Sequence, residues 1–196
     1  SLDLSNSQPF NLKNIVGSHN GTVYGLSDGG KSDSRCILES IDLYFDDKKS
    51  FDVDDFEDTL IEQIADKAEG YSGLLLNIYV KSLDKVLVLC EYNEAGVPST
   101  AREHVYHSYY TPVISVDGEH IYISSESGDV IDGDVRCVEN HTLYVIDRKT
   151  GEITEYKLEQ LEESLKDAVR SAQEEDSLEE ISECSEVEED SLAEAA

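Results

Sequence analysis

Eight residues near the N-terminus have the types and spacing that phosphate chemistry requires. Residues 25–32 read GLSDGGKS, in which Gly25, Gly30, Lys31 and Ser32 match the phosphate-binding loop pattern G-x-x-x-x-G-K-[ST]. In such a loop, backbone N–H groups and the N-terminus of the following helix hold the phosphates, while the lysine and the hydroxyl contact phosphate and Mg²⁺. A nucleotide-dependent enzyme is therefore one hypothesis to weigh.

The sequence around this segment favours a glycine-rich surface loop without phosphate-binding function instead. A phosphate-binding loop follows a buried strand and opens a helix within a parallel sheet, whereas the apolar stretch before this one covers only residues 22–24. Asp28 and Asp33 flank the anion site and would repel a phosphate. The nucleotide-binding enzyme is kept as the less favoured hypothesis, and no cofactor is expected.

Two further groups of residues resemble metal sites without completing one. His104 and His107 have the spacing of a helical metal pair, but zinc needs further ligands and the neighbouring residues do not provide them. Three aspartates resemble the start of a calcium loop, but the twelfth position holds Asn140 rather than glutamate. No metal site is therefore expected. The three aspartates are Asp129, Asp132 and Asp134.

Acidic charge is the strongest global property of the chain. The 196 residues contain 44 acidic and 15 basic side chains, for a net charge of −29. Residues 171–196 hold 11 acids and no base, so the preceding 170 residues carry −18 on their own. Such a field repels nucleic acid and anionic membranes and attracts basic protein surfaces. Solubility and salt adaptation also favour an acidic composition.

The sequence predicts a cytoplasmic location, or a virion for an assembly protein. No apolar run approaches the ~18 residues that span a membrane, and residues 1–10 lack the basic start and apolar run of a signal peptide. The four cysteines lie far apart and are interpreted as reduced thiols, with two disulfides as the alternative. The last six residues, SLAEAA, resemble a cleavage site of tailed-phage head proteases.

The middle of the chain predicts antiparallel strands. Residues 73–81 and 85–92 are apolar on both faces, which indicates two central strands covered on both sides and joined by a short turn. Residues 113–124 and 142–156 each alternate around a turn signal and predict hairpins. Residues 36–45 are interpreted as a further strand, with a helix as the alternative.

Two helices are predicted beside these strands. Residues 54–69 carry an apolar stripe, with Asp54 as the N-cap and Gly70 at the end. A second stripe follows the last hairpin and includes Leu158, Leu161 and Leu165. The predicted fold is therefore α+β, an antiparallel sheet of about six strands with two helices. Its predicted organisation is a flexible arm (1–35), a single domain (36–172) and an acidic tail (173–196).

The favoured function is a non-enzymatic protein-interaction or assembly component that docks on a basic surface of a partner protein. One form of this hypothesis is a viral assembly protein. It would bind neither nucleic acid nor membrane directly. The alternative is an inhibitor whose carboxylates mimic nucleic-acid phosphates, which predicts that the carboxylates concentrate on one face. Two segments are candidate contacts, with ordinary core packing as the competing interpretation for both. The candidate residues are Tyr106, Tyr109, Tyr110, Leu158, Leu161 and Leu165.

Overall fold

A six-stranded antiparallel sheet forms the centre of the protein. The structure is a computed structural model, and it describes residues 6–93, 112–117, 120–124, 134–172 and 174. The strands are β1 (Phe10–Asn11), β2 (Ile15–Asn20), β3 (Val23–Tyr24), β4 (Gly70–Tyr71), β5 (Leu75–Val80), β6 (Lys85–Cys90), β7 (Val113–Asp117), β8 (His120–Ser124), β9 (Asp134–Cys137), β10 (Thr142–Asp147) and β11 (Ile153–Lys157). The strand order of the six-stranded sheet is β1-β2-β5-β6-β10-β11. Strands β3 and β4 form a separate two-stranded ribbon, and a three-stranded sheet has the order β8-β7-β9.

The described residues contain three α-helices where the sequence predicts two. They are α1 (Asp33–Tyr44), α2 (Val53–Gln63) and α3 (residues 159–172), and a 3-10 turn (Ala65–Lys67) follows α2. The helix predicted over residues 54–69 is shorter than expected, since α2 ends at Gln63 and a separate 3-10 turn follows it. Its N-cap is Asp52 rather than Asp54, since the Asp52 side chain accepts the N–H groups of Asp54 and Asp55.

The strand predicted at residues 36–45 is wrong, because this segment belongs to α1. Ser32 caps the helix, and Asp33 in the first turn suits its dipole. Ile37, Leu38 and Ile41 form one buried stripe at helical spacing. The runner-up interpretation, a helix, is the one that the structure shows.

Residues 10–24 contribute the strands β1, β2 and β3, whereas the sequence predicts a flexible arm over residues 1–35. Strand β2 pairs with β5 over six residues, from the Ile15–Val80 pair to the Asn20–Leu75 pair. Gly17 permits α1 to lie close to this strand, since a Cβ there would come 2.7 Å from the Leu38 side chain. The domain thus begins well before residue 36.

Two apolar layers cover the two faces of the main sheet. The three helices pack on one face, where Ile37, Phe56 and Leu161 share a cluster with Leu76 and Leu89. The three-stranded sheet packs on the other face, where Ile114 and Val138 meet Val88 and Tyr144. The predicted coverage of β5 and β6 on both sides is confirmed, and so are the antiparallel hairpins β7–β8 and β10–β11.

Candidate functional site: an acidic helical face

The loop that matches the phosphate-binding pattern folds as a tight β-turn. The N–H of Lys31 donates to the carbonyl of Asp28 at 2.8 Å, and Gly29 and Gly30 both have positive φ, as a type I′ turn requires. The strand before the turn is the two-residue β3, which pairs antiparallel with β4. The glycines therefore have a local conformational role.

The polar groups of this loop are engaged by other parts of the protein. Lys31 Nζ lies 2.7 Å from the Glu39 carboxylate. Ser32 caps α1 with its hydroxyl, and its N–H donates to Asn6 Oδ1 at 3.1 Å. A depression of about 290 Å³ borders Gly25 but not Gly30, Lys31 or Ser32. This arrangement assigns the lysine to an ion pair and the serine to a helix cap.

We expect about 5 mM Mg-ATP or Mg-GTP to leave the melting temperature unchanged, because a ligand stabilises only a fold that binds it. Lys31→Ala should change stability only slightly, since the ion pair is exposed. Differential scanning fluorimetry of both proteins, with and without nucleotide, measures this. A nucleotide-dependent stabilisation that is lost in Lys31→Ala would contradict the assignment.

The candidate partner contacts fall into two groups. Leu158, Leu161 and Leu165 are 0% exposed and belong to the core between α3 and the sheet. Their stripe therefore packs inside the molecule, which is the competing interpretation of the sequence. Tyr106, Tyr109 and Tyr110 lie outside the described residues, as do His104, His107, Asp129 and Asp132.

The acidic charge of the described chain concentrates on the helical layer. Residues 33–69, which contain α1, α2 and the 3-10 turn, hold 13 acids and 4 bases, for a net charge of −9. Residues 159–172 add −2. By contrast, residues 6–32, 70–93 and 134–158, which supply most of the strands, carry +1, 0 and −1. Because the three helices pack on one face of the sheet, this charge lies on one side of the domain.

A row of four exposed carboxylates runs along α2 and the turn that follows it. Asp54, Asp58, Glu62 and Asp66 recur at four-residue intervals, which places successive members of the α-helix about 6 Å apart along its axis. Within the described residues, no lysine, arginine or histidine nitrogen lies within 4.0 Å of these four carboxylates. We call these residues the α2 acidic row. Its charge is therefore open to a partner.

A groove, called the acidic groove below, lies between the last member of the α2 acidic row, Asp66, and α3. It encloses about 390 Å³ between the 3-10 turn and α3. Asp66, Glu69 and Asp167 supply carboxylates to its walls, and small residues such as Ala168 and Ala172 line the rest. The groove extends the negative surface from the end of α2 toward α3, where Arg170 pairs with Asp167 at 3.0 Å.

A buried carboxylate fixes α3 beside α2. Glu57 Oε1 accepts the backbone N–H groups of Gln160 and Leu161, each at 3.0 Å. These are among the first N–H groups of α3, which have no partner within the helix itself. The Glu57 side chain thus acts as an N-cap supplied from another helix, and it is only 5% exposed.

A second buried carboxylate connects the sheet to α3. Glu91 is 0% exposed and accepts the Tyr71 hydroxyl at 2.8 Å and His141 Nδ1–H at 2.8 Å. His141 Nε2 lies 3.5 Å from Glu162 Oε1 on α3. Because the imidazole faces one carboxylate on each ring nitrogen, it links the sheet to the helix. We call Tyr71, Glu91, His141 and Glu162 the Glu91 cluster.

The backbone around His141 holds the ring in this position. His141 has φ +56°, a left-handed conformation that non-glycine residues adopt at some cost in energy. The preceding Asn140 forms two hydrogen bonds with the backbone of Tyr92, one to the N–H and one to the carbonyl. These bonds fix the turn that enters β10.

The surroundings of the Glu91 cluster shift two pKa values. Donation from Lys166 holds the pKa of Glu162 below its usual value, and attraction by His141 adds to this. Burial raises the pKa of the Cys90 thiol to about 12, with a further contribution from Glu91. Cys90 therefore stays protonated at neutral pH, which suits a core residue better than a nucleophile.

Other candidate chemistry has limited support in the described residues. They contain no group of three or more histidine, cysteine, aspartate or glutamate side chains placed to hold a metal ion. Within the part of the chain that the structure describes, Cys36, Cys90 and Cys137 form no disulfide bond. None of the helices in this part of the chain has the length and apolarity needed to cross a bilayer. Comparison with known proteins adds no assignment, since no family model matches the sequence and no curated protein is significantly similar to it.

Proposed function

We propose that this chain is a non-enzymatic protein-interaction or assembly component whose acidic helical face binds a basic surface of a partner protein. The observation that carries the proposal is the concentration of charge, with −11 on the helical segments and a total of zero on the three strand segments compared above. A monomer that needed acidic residues only for solubility would have no reason to place them on one side. A cytoplasmic or virion setting suits such a component.

The α2 acidic row is the centre of the proposed interface. Its four carboxylates are exposed and are already free of competing cations in the described chain. A partner lysine or arginine can therefore bind them without breaking an internal ion pair. Charge of one sign also accelerates encounter with a partner of the opposite sign and makes the association weaken as salt rises.

Neutralising two members of the row should weaken partner capture about tenfold or more, because close charge pairs at interfaces contribute more than 1 kcal/mol each. The variant is Asp58→Asn with Glu62→Gln. The measurement is the amount of each partner protein that the variant and the unaltered protein capture from a lysate of the source cells. Capture takes place at about 0.1 M salt and is quantified by mass spectrometry.

A matched control changes the net charge equally at another place. Glu152→Gln with Glu155→Gln also removes two negative charges. Glu152 precedes β11, and Glu155 pairs with Arg136 of β9 at 2.9 Å, on the face of the main sheet opposite to α2. We expect this control to capture the same partners as the unaltered protein. Equal capture by all three proteins, or equal loss in both variants, would contradict an interface on the helical face.

A mimic of nucleic acid is the second candidate function, and the one-sided charge also favours it. A mimic requires carboxylates on a rigid scaffold, and α2 is held rigidly on the sheet by the buried residues Phe56 and Leu60. In this case the captured partner would be a nucleic-acid-binding protein, and duplex DNA or RNA would displace the chain from it. An assembly partner would instead stay bound when nucleic acid is added.

A further inference from the structure

A second depression differs from the acidic groove in the sign of its charge. It encloses about 460 Å³ at the end of the sheet where the turn between β5 and β6 meets the loop before α2. Lys49 and Lys85 line it, and no aspartate or glutamate of the described residues does. In a chain of net charge −29, a depression whose charged lining residues are both cations is unexpected. We call it the lysine pocket.

The two lysines contribute different amounts of charge. Lys85 Nζ lies 3.2 Å from Asp147 Oδ2, so part of its charge is already offset. Lys49 is exposed, and within the described residues no carboxylate lies within 4.0 Å of its Nζ. The net positive charge of the pocket therefore comes mainly from Lys49.

The remaining walls combine aromatic rings and hydroxyl groups. Phe51 and Tyr156 contact each other, with ring centroids 6.5 Å apart and the planes inclined at 57°. Ser82 and Thr154 add hydroxyl groups. Pockets for small ligands have this character, since they are mostly apolar or aromatic cavities of about 300–1,000 Å³ with a few polar groups.

We propose that the lysine pocket binds a small anion that carries a planar ring, such as an aryl phosphate. Its anionic group would bind Lys49 and Lys85, and its ring would pack on Phe51 and Tyr156. Hydroxyl groups of Ser82 and Thr154 are suited to donate to phosphate oxygens. This site is distinct from the α2 acidic row and from the groove beside α3, because it involves different residues and the opposite charge.

The large negative charge of the protein does not prevent anion binding at this position. At about 0.15 M salt the Debye length is about 8 Å, so exposed charges beyond that distance are largely screened. Carboxylates beyond that distance therefore contribute little to the potential inside the pocket, where Lys49 has no carboxylate within 4.0 Å among the described residues.

The test is a titration with phenyl phosphate, followed by ¹⁵N chemical shifts, with phenol and inorganic phosphate as separate probes. We expect shift changes at the residues of the lysine pocket. Phenyl phosphate should bind at least about fivefold more tightly than phenol or inorganic phosphate, each of which represents one half of the molecule. Absence of shift changes at these residues with about 20 mM phenyl phosphate would overturn the proposal.

Two neighbouring lysines provide a matched pair of variants. Lys49→Ala should weaken phenyl phosphate about five- to tenfold, since it removes the unpaired cation. Lys48→Ala removes the same charge one residue away, but Lys48 pairs with Asp55 at 3.1 Å and lies over the Tyr44 ring, outside the pocket. It should change the affinity less than twofold. Equal weakening by both variants would show a general charge effect and overturn the proposal.

A third variant fills the pocket without altering charge. Thr154 is exposed on β11, so Thr154→Phe should fold and place a ring in the cavity. We expect it to abolish the shift changes with phenyl phosphate. Unchanged affinity in this folded variant would locate the binding elsewhere and overturn the proposal.

Discussion

Replacing Glu91 with alanine should lower the free energy of unfolding by about 3–5 kcal/mol, the loss that follows when one partner of a buried ionic hydrogen-bonded set is removed. The carboxylate is fully buried and accepts hydrogen bonds from Tyr71 and His141. Alanine would remove this shared acceptor and leave a cavity, which adds to the loss. Urea unfolding followed by tyrosine fluorescence measures the change, because the chain has 11 tyrosines and no tryptophan.

A double-mutant cycle tests whether the Glu91 cluster acts as a unit. Tyr71→Phe removes only the hydroxyl, and we expect it to lower stability by about 1 kcal/mol. In the combined variant the two effects should not add, with a coupling of about 1 kcal/mol between directly bonded partners. Strict additivity of the two losses would mean that the Tyr71–Glu91 hydrogen bond does not stabilise the fold.

The cluster also bears on the proposed function, since Glu162 belongs to α3. Through His141, the buried Glu91 fixes a helix that forms one wall of the acidic groove. Disruption of the Glu91 cluster should therefore let α3 detach from the sheet before the sheet itself unfolds. Amide hydrogen exchange in Glu91→Gln, compared with the unaltered protein, would show this order of opening if it accelerates more in α3 than in β6.

Local sequence patterns predicted the elements whose apolar residues repeat within a short segment. The hairpins β7–β8 and β10–β11 follow from alternation around a turn, and coverage of β5 and β6 follows from apolar residues on both faces. The pattern of residues 36–45 predicts a strand because the isoleucines of this segment also suit strands, although Ser32 and Asp33 provide a helix start. Competition between a propensity and a capping signal produced this error.

Elements that depend on distant partners gave weaker signals. Strand β2 has the sequence IVGSHN, with few apolar residues, and its pairing with β5 spans about sixty residues. The same holds for the two buried carboxylates. Glu57 interrupts the apolar face of α2 beside Phe56 and Leu60, yet its partners lie 103 and 104 residues away in the chain. A glutamate within an apolar stripe was the available signal, but it could not identify what the carboxylate binds.

The acidic face shows how folding adds information to composition. Net charge and its distribution along the chain can be counted from the sequence, but only the packing of α1, α2 and α3 on one side of the sheet turns that distribution into a surface. The Leu158, Leu161 and Leu165 stripe shows the reverse case. Its apolar spacing is compatible with an exposed contact or a core face, and burial against the sheet decides for the core.

Replacing Glu57 with alanine should lower the free energy of unfolding by about 3 kcal/mol. The variant would lose two hydrogen bonds to a charged acceptor, each worth about 1.5 kcal/mol, at the N-terminus of α3. It would also lose the favourable interaction of the carboxylate with the helix dipole. Chemical unfolding of the variant and the unaltered protein, analysed with a common m-value, measures the difference.

Two companion variants separate the cap from the charge. Glu57→Gln keeps an acceptor oxygen at the same position and should lose only about 1 kcal/mol, because the bonds remain but are no longer charge-assisted. Asp58→Ala removes a carboxylate from the next residue, which is exposed, and should change stability by less than about 0.5 kcal/mol. If Glu57→Ala and Asp58→Ala had the same small effect, the α3 N-terminus would not depend on Glu57. If Glu57→Ala instead behaves as expected, it should also weaken capture of a basic partner, because α3 supplies Asp167 to the acidic groove.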